Sequence, residues 1–388
     1  MAGNQVPPLR FAPVGMTHYV GAAQDRPGTY KYPGSFRCAH NCLIASTTPT
    51  RIDTRTESPT DARLSRIVRL LSDHATVVVS GQRIAQELGT SRSEVWRAVQ
   101  YLRQLGVQIT GHLATGYQLM AVPDLLLPDV LRPLLSGTIF ADHIHHYFSI
   151  GSTNIAAMQA AAAGEPEGAV FVSEEQTAGR GRGDHSWESA QSVGIYCSVV
   201  LRPEMSPLDA LFLSLMTGIA MAEAVERTTG LRCDLRWPND VLLNGRKICG
   251  ILTEMNAEPM RVRYVVIGVG MNVNNALFTG ELVPIATSLR IESGREWSRV
   301  ELTAALLKSL DSQYRRLVGD RRDTQKEIIR SFEERSSFAR GREVMIAEDG
   351  CSYGGTTGGL NERGFLQLRI RGELRTVFSG SVRALDGK

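Results

Sequence analysis

The segment Gln176–Trp187, which reads QTAGRGRGDHSW, is the feature that most constrains the fold. It lies between two apolar, strand-like segments at 168–172 and 194–201. Glycine lets a backbone approach an anionic ligand closely, and arginine supplies a planar, permanently charged fork for a carboxylate or phosphate. A disordered Gly/Arg tract that binds RNA loosely would usually be longer and would lack strand-formers at its ends. The pattern therefore predicts a mobile anion-binding loop on an α/β scaffold.

Length and charge bound the remaining possibilities. The chain has 388 residues, more than one typical domain, and 43% of them are hydrophobic. Lys plus Arg number 43 against 40 for Asp plus Glu, a net charge of +3, so any nucleic-acid footprint must be local. We find no stretch that approaches the roughly 18 apolar residues needed to span a bilayer, and no signal-peptide pattern at the N-terminus. The sequence predicts no membrane association.

The positions of the cysteines argue against a fold held together by disulfide bonds. The six are scattered along the chain, which is typical of a reduced, cytoplasmic protein. Only Cys38 and Cys42, with His40 between them, form a cluster, and no second ligand pair with zinc-site spacing follows. We therefore predict no metal site.

Composition and periodicity divide the chain into four regions. Residues 1–60 are rich in Pro, Gly, Thr and Ser and are expected to be a disordered or weakly structured extension. Residues 61–122 carry helical spacing followed by a small hairpin pattern. Residues 126–337 alternate between strand-like and helix-like segments, as in an α/β or α+β domain. Residues 338–388 have short strands and glycine turns, which predict a small β-barrel.

The second region reads as a winged helix-turn-helix. Ser80 is placed to cap one short helix, and Ser91 with Glu94 forms a capping box that opens the next. Gly106 is expected to end that helix, and the hairpin at 107–119 supplies the wing.

Several side chains of the second helix suit phosphates and base edges. The candidate DNA-binding residues are Arg92, Trp96, Arg97, Gln100 and Arg103. On a lone helix, such arginines would be more simply explained as solvent-exposed surface charges. The complete order of helix, turn, helix and wing favours DNA binding.

Four more motifs accompany the glycine–arginine loop, and each is weak alone. Ser152-Thr153-Asn154 can bind a polar head group or simply cap a helix. Trp237-Pro238-Asn239-Asp240 places a carboxylate beside a rigid turn. Lys247 lies at the start of an apolar strand, where its ammonium group can contact a phosphate or be exposed only to solvent. Gly268-Val269-Gly270-Met271-Asn272 lacks the third glycine of a dinucleotide fingerprint, so a Rossmann domain is excluded.

The five motifs, taken in order with the domains that flank them, resemble the biotin protein ligases. The winged helix before them and the barrel after them match the bifunctional bacterial members, the biotin operon repressors. The resemblance covers roughly residues 63–385. It implies a multidomain α+β protein: an N-terminal winged helix-turn-helix, a central α/β domain of the biotin/lipoate-ligase type, and a small C-terminal SH3-like β-barrel.

The resemblance also implies roles for individual residues. Biotin would be bound by Ser152, Thr153, Asn154, Gln176, Gly179, Arg180, Arg182, Lys247 and Gly250. ATP or the adenylate would be bound by Trp187, Asn239, Asp240 and Asn272. The candidate catalytic residues are Lys247, Arg182 and Arg180. Joining a carboxylate to ATP requires cationic side chains that bind both anions, and usually Mg²⁺. A loop that closes over the site can keep water from the mixed anhydride.

Two departures from the family pattern bear on the nucleotide. Gly183, Asp184 and His185 follow the loop where some members carry further arginines. An aspartate there opposes closure on anions unless it points outward, which puts retention of the adenylate in question. A C-terminal arginine that contacts the nucleotide in some members has no clear counterpart, because Arg383 is out of register.

The resulting hypothesis is an ATP-dependent ligase that attaches biotin to a carboxylase carrier domain through biotinyl-5′-AMP. The chain would also bind biotin operator DNA as a ligand-induced homodimer. Three alternatives remain: a lipoate ligase with the same adenylation logic, a non-catalytic ligand-sensing transcription factor, and a ligase whose winged helix no longer binds DNA.

Overall fold

The computed structural model describes residues 59–385, except for 75–76, 113–114, 122–123, 184 and 349. The predicted extension therefore lies almost wholly outside the described residues, as do the Cys38–His40–Cys42 cluster and Asp184.

The N-terminal region is a winged helix-turn-helix, as predicted. Its elements are α1 (Pro59–Asp73), α2 (Gly81–Leu88), α3 (Arg92–Gln104), β1 (Ile109–His112) and β2 (Gly116–Leu119). The Ser80 hydroxyl accepts a hydrogen bond from the Arg83 N–H and caps α2. The predicted capping box at α3 is present in both directions between Ser91 and Glu94, and the two strands pair antiparallel.

The central region is a seven-stranded mixed sheet with helices on both faces. Its strands are β3 (Ile144–Tyr147), β4 (Val170–Ser173), β5 (Gly194–Leu201), β6 (Asp234–Arg236), β7 (Asp240–Leu243), β8 (Arg246–Ala257) and β9 (Val262–Asn272). They lie in the order β3-β4-β5-β9-β8-β7-β6. Only β3 and β4 run parallel in this sheet; its other neighbouring pairs are antiparallel.

Helices cover the sheet unequally. The helices are α4 (Pro128–Leu134), α5 (Thr153–Ala162), α6 (Leu211–Thr229), α7 (Leu289–Ser293), α8 (Arg299–Gly319) and α9 (Arg321–Glu334). α5 packs on one face with a small apolar cluster that includes Phe171 and Val266. α6 and α8 pack on the other face, where the main core extends into the C-terminal region.

One expectation about α6 was wrong. The segment Pro207–Thr229 is long and apolar enough to cross a membrane by length and composition, although the sequence had suggested no such stretch. Of its most apolar window, 83% is buried inside the protein. Its apolarity is that of a helix covered on all sides, because it packs between the sheet and α8.

The C-terminal region is a five-stranded antiparallel sheet, consistent with the predicted SH3-like barrel. Its strands are β10 (Arg340–Glu348), β11 (Cys351–Leu360), β12 (Leu366–Ile370), β13 (Glu373–Val377) and β14 (Ser381–Ala384), in the order β13-β12-β11-β10-β14. The Trp237 indole N–H donates to the Gly364 carbonyl at 3.0 Å, so the barrel is joined to the central sheet near the end of β6.

The linker between the first two regions is held by a buried ionic cluster. The Asp124 carboxylate accepts from the backbone N–H groups of Arg299 and Val300, at 2.8 and 3.1 Å, at the start of α8. Glu174, at the end of β4, accepts from the Leu126 N–H and lies 2.7 Å from the Arg299 guanidinium. The linker is therefore attached to the same strand that leads into the glycine–arginine loop.

Candidate functional site

A polar cavity opens where the N-terminus of α5 faces strands β8 and β9. The glycine–arginine loop lines one side of it. Most of the predicted ligand-binding residues line it, namely Ser152, Thr153, Asn154, Gln176, Arg180, Arg182, Trp187, Asn239, Lys247 and Gly250. Segments far apart in sequence thus meet at one place.

Three predicted site residues lie outside the lining. Gly179 packs against the backbone of Trp187, where a Cβ would come within 2.4 Å of the carbonyl oxygen. Asp240 is paired with Lys247 and does not itself line the cavity. Asn272 is buried and donates to the Thr287 carbonyl at 3.1 Å, so its amide is engaged by the protein.

One end of the cavity is a hydrogen-bonded polar network. The Gln176 carbonyl oxygen accepts from the Thr153 N–H at 2.9 Å and from the Thr153 hydroxyl at 3.1 Å. The Gln176 amide donates to the Ser189 hydroxyl at 2.8 Å. Ser152 occupies the N-cap position of α5, but its hydroxyl makes no capping hydrogen bond. This end can therefore offer hydroxyl groups to an uncharged polar head group.

The other end carries the cations. The Lys247 ammonium lies 2.6 Å from Asp240, whose carboxylate also accepts from Arg236 at 2.7 Å. Burial raises the pKa of Asp240, but Lys247 and Arg236 lower it further, so the pKa lies below its ordinary value and the carboxyl is ionised. An anion that enters the cavity can compete with Asp240 for Lys247.

The C-terminal barrel contributes directly to this end. The Arg182 guanidinium donates to the Asn239 side-chain oxygen at 3.3 Å and to the Gly380 carbonyl at 3.1 Å. Burial lowers the pKa of Arg182 from its ordinary value. Arg383 is not among the lining residues, so the barrel reaches the loop through the backbone of the turn before β14.

Trp187 lies over two glycines that face each other across β8 and β9. Gly250 pairs with Gly270, and a Cβ on either would come within 2.9 or 2.6 Å of the indole ring. The Lys247 ammonium is 5.4 Å from the ring centroid. The indole N–H is buried and has no hydrogen-bond partner among the described residues, so the ring is held by shape and by the cation.

Four residues without a predicted role belong to the site. Glu254 and Ser198 join the polar network, and Gly268 and Gly270, quoted above only as part of a motif, make room for Asn154 and Trp187. Alternate residues of a strand share a face, so Gly250, Leu252 and Glu254 could have been grouped once Gly250 was chosen. Nothing in the sequence signals Gly380.

Helix α3 forms a separate candidate interface. Arg92, Trp96 and Arg97 are exposed, with Trp96 56% exposed. Gln100 and Arg103 are half-buried, and the Arg103 side chain donates to the Ile109 carbonyl of the wing at 2.8 Å. Arg103 therefore braces the wing against α3, whereas the first three side chains face solvent.

Comparison with known proteins gives the same domain order. The model of the biotin/lipoate A/B protein ligase family matches residues 150–272, and a helix-turn-helix domain model matches residues 63–118. The first match contains the polar network, Trp187, Lys247 and both strands beneath the cavity. The second contains α2, α3 and most of both α1 and the wing.

Individual relatives extend the match over most of the chain. The bifunctional ligase/repressor BirA of Bacillus spizizenii is 32% identical over 318 residues, which is 81% of this chain and 97% of the relative. The biotin–[acetyl-CoA-carboxylase] ligase of Mycobacterium tuberculosis is 32% identical over 60% of this chain and 85% of its own length. The structure of biotin protein ligase from Aquifex aeolicus with biotin and ATP is 25% identical, with a TM-score of 0.53 over 62% of this chain and 98% of its own.

Proposed function

Since this chain belongs to the biotin protein ligase family and matches the bifunctional ligase/repressor of Bacillus spizizenii over 97% of its length, we propose that it is an ATP-dependent biotin–protein ligase that also represses transcription. The observation that carries the enzymatic part is the cavity with hydroxyl groups at one end and the cations Lys247 and Arg182 at the other. Biotin has the same polarity, with an uncharged ureido ring at one end and a carboxylate at the other.

In the first step, a biotin carboxylate oxygen attacks the α-phosphorus of ATP, and pyrophosphate leaves. Ser152, Thr153 and Gln176 would hold the ureido ring, so that the carboxylate points toward Lys247. Both reactants are anionic, and Lys247 and Arg182 would offset the charge that collects between them. Trp187 and Asn239 would hold the nucleotide, while the loop excludes water from the mixed anhydride.

In the second step, the amine of an acceptor lysine on a carrier domain attacks the acyl carbon. An amide forms, the amine loses a proton, and AMP leaves. The chain itself forms no covalent intermediate in this scheme.

Mg²⁺ enters the proposal as the companion of the ATP phosphates. The described residues contain no group of three His, Cys, Asp or Glu side chains that could hold a metal ion. Asp240 and Glu254 near the cavity are each paired with cations or amides, so the phosphates would be the main ligands of the metal.

The repressor part rests on the exposed face of α3. Arg92, Trp96 and Arg97 would enter the major groove, with the wing near Gly111 and His112 against the backbone. One such module makes few contacts, so we infer a twofold homodimer, induced by the adenylate, that reads an inverted repeat in operator DNA. A cytoplasmic location completes the proposal and agrees with the free thiols of Cys197, Cys233, Cys249 and Cys351.

The test is pyrophosphate release from ATP with biotin and, in parallel, with lipoate. Release with biotin alone supports the proposal, and release with lipoate alone would make the chain a lipoate ligase. No release with either would leave a ligand-sensing transcription factor. A gel shift on the upstream regions of biotin synthesis genes, with and without biotin plus ATP, tests the repressor part separately.

A further inference from the structure

A carboxylate that the proposed reaction does not use stands beside the cavity. Glu254 lies on β8, its side chain is 13% exposed, and its two oxygens serve two different partners. One lies 3.3 Å from the Arg180 guanidinium in the glycine–arginine loop, and the other accepts from the Asn154 amide at 3.0 Å. Burying a carboxylate is costly unless it is paired in this way.

The carboxylate dictates how Asn154 is oriented. An ionised carboxylate can only accept, so it must face the NH₂ group of the Asn154 amide. That group also donates to the Leu252 carbonyl at 3.3 Å, and the amide oxygen accepts from the Ser198 hydroxyl at 2.6 Å. Gly268 makes the arrangement possible, because a Cβ there would lie 2.0 Å from the amide oxygen.

Asn154 therefore has protein partners on both sides of its amide. Ser198, its neighbour, also lies 2.8 Å from the hydroxyl oxygen of Thr153, whose backbone N–H donates to the Gln176 side chain at 2.9 Å. Glu254 therefore braces Asn154 and Ser198, which contact Thr153 at the polar end of the cavity.

The pair with Arg180 links the same carboxylate to the loop. Arg180 is 42% exposed and comes from a segment that carries a second arginine two residues later. Without a partner, these like charges would favour an extended loop. Glu254 holds Arg180 at the cavity wall, and a loop held there has a lower ordering cost on binding.

We propose that Glu254 is a positioning residue that pre-organises both the loop, through Arg180, and the polar end of the cavity, through Asn154. This inference rests on the proposed ligase function and assigns Asn154 a positioning role in place of direct contact with biotin. Pre-organisation acts before chemistry, so its loss should appear in KM and much less in kcat.

A double-mutant cycle between Glu254 and Arg180 tests the proposal. Glu254→Gln should raise the KM for biotin about tenfold and change kcat less than about threefold, within the range of coupling measured for contacting residues. In an Arg180→Ala background, the same change should alter KM less than about twofold, because the amide oxygen that replaces the carboxylate can still accept from Asn154. Glu254→Asp keeps the charge and should restore part of the lost affinity.

Glu333 offers a matched control. Its side chain is 16% exposed, pairs with the 63% exposed Arg340 at 2.9 Å, and accepts from the Leu360 N–H at 2.7 Å. It is not among the residues that line the cavity. Glu333→Gln should change the melting temperature without changing the KM for biotin.

An equal rise in KM in both backgrounds would overturn the inference, because Glu254 would then act through the fold and not through Arg180. If Glu254→Gln does not fold, the cycle is run with Glu254→Asp, and additive effects of that shortening and of Arg180→Ala would likewise overturn it. Failure of the wild-type chain to release pyrophosphate with biotin would instead refute the proposed function.

Discussion

Two clusters in this protein each hold one carboxylate between two nitrogen-bearing side chains, and they differ in accessibility. Under the linker, Glu174 bridges Arg299 and His146, and all three side chains are at most 1% exposed. At the cavity, Asp240 bridges Lys247 and Arg236, and these side chains are 15–29% exposed. The first cluster cannot exchange partners without unfolding its surroundings, whereas the second can release Lys247 to an anion. Burial therefore separates a structural ion cluster from one suited to bind a ligand.

The position of the first cluster gives it a second consequence. Glu174 lies two residues before Gln176, and Arg299 also contacts Asp124 in the linker. Phe148, just after β3, is buried in the core of the winged helix. The ligand-binding loop and the DNA-binding region are therefore attached to the same short stretch of sheet.

The contrast between the clusters is tested most severely by Arg299→Met. The change leaves Glu174 buried without its main cation, and removing one partner of a buried pair typically costs about 3–5 kcal/mol. We expect a loss of that size in the free energy of unfolding, measured with urea. Arg263→Met removes an exposed pair with Glu258 and should cost less than about 1 kcal/mol. Similar losses in the two variants would contradict the distinction.

Lowering the pH should weaken the buried cluster of Glu174, Arg299 and His146. Burial raises the pKa of Glu174, but Arg299 and His146 lower it further, to about 2. Because the folded pKa is depressed, the stabilisation is complete above the unfolded value of about 4.5 and is lost as pH falls from there toward 2. The contribution is on the order of 3 kcal/mol. As pH is lowered through this window, the free energy of unfolding of the wild type should decrease, and that of Glu174→Gln should decrease less. Parallel pH dependences of the two proteins would contradict this account.

At the cavity, Lys247→Ala should affect chemistry and spare the fold. Losing one donor to developing charge costs roughly 3 kcal/mol, or about a hundredfold in rate, while Asp240 keeps its pair with Arg236. Pyrophosphate release should therefore fall about a hundredfold with little change in the urea midpoint. Lys326→Ala, an exposed site on α9, is the control. Near-normal release by Lys247→Ala would refute the role proposed for this lysine.

The smallest effect is expected on α3, where the same contrast recurs between two arginines. Arg97 is exposed and Arg103 is tied to the wing. Arg97→Ala should weaken DNA binding alike for all sequences and lower the salt slope by about one unit. Arg103→Ala should lower the stability of the winged helix. An unchanged salt slope for Arg97→Ala, measured by titration at several salt concentrations, would remove Arg97 from the interface.

Local features of the chain were predictable because their cause is local. The Ser91–Glu94 capping box and the Ser80 cap involve residues three apart, so the backbone of one helical turn decides them. The domain order followed from periodicity and from the resemblance that the motifs carry. The apolar length of α6 was misjudged although it could be read from the sequence, whereas its burial depends on neighbours that only the fold supplies.

The sequence alone determined the domain order, the caps, the glycine–arginine loop and the kind of chemistry that its residues can perform. Only the tertiary structure decided which charged groups are neighbours: Glu254 meets Asn154 across 100 residues, and Arg182 meets Gly380 across 198. Such contacts depend on strand register and on how the barrel docks, and a shift of one residue in either would turn these side chains away. The identities of the cations at the cavity could be read from the sequence, whereas the partners that hold them required the fold.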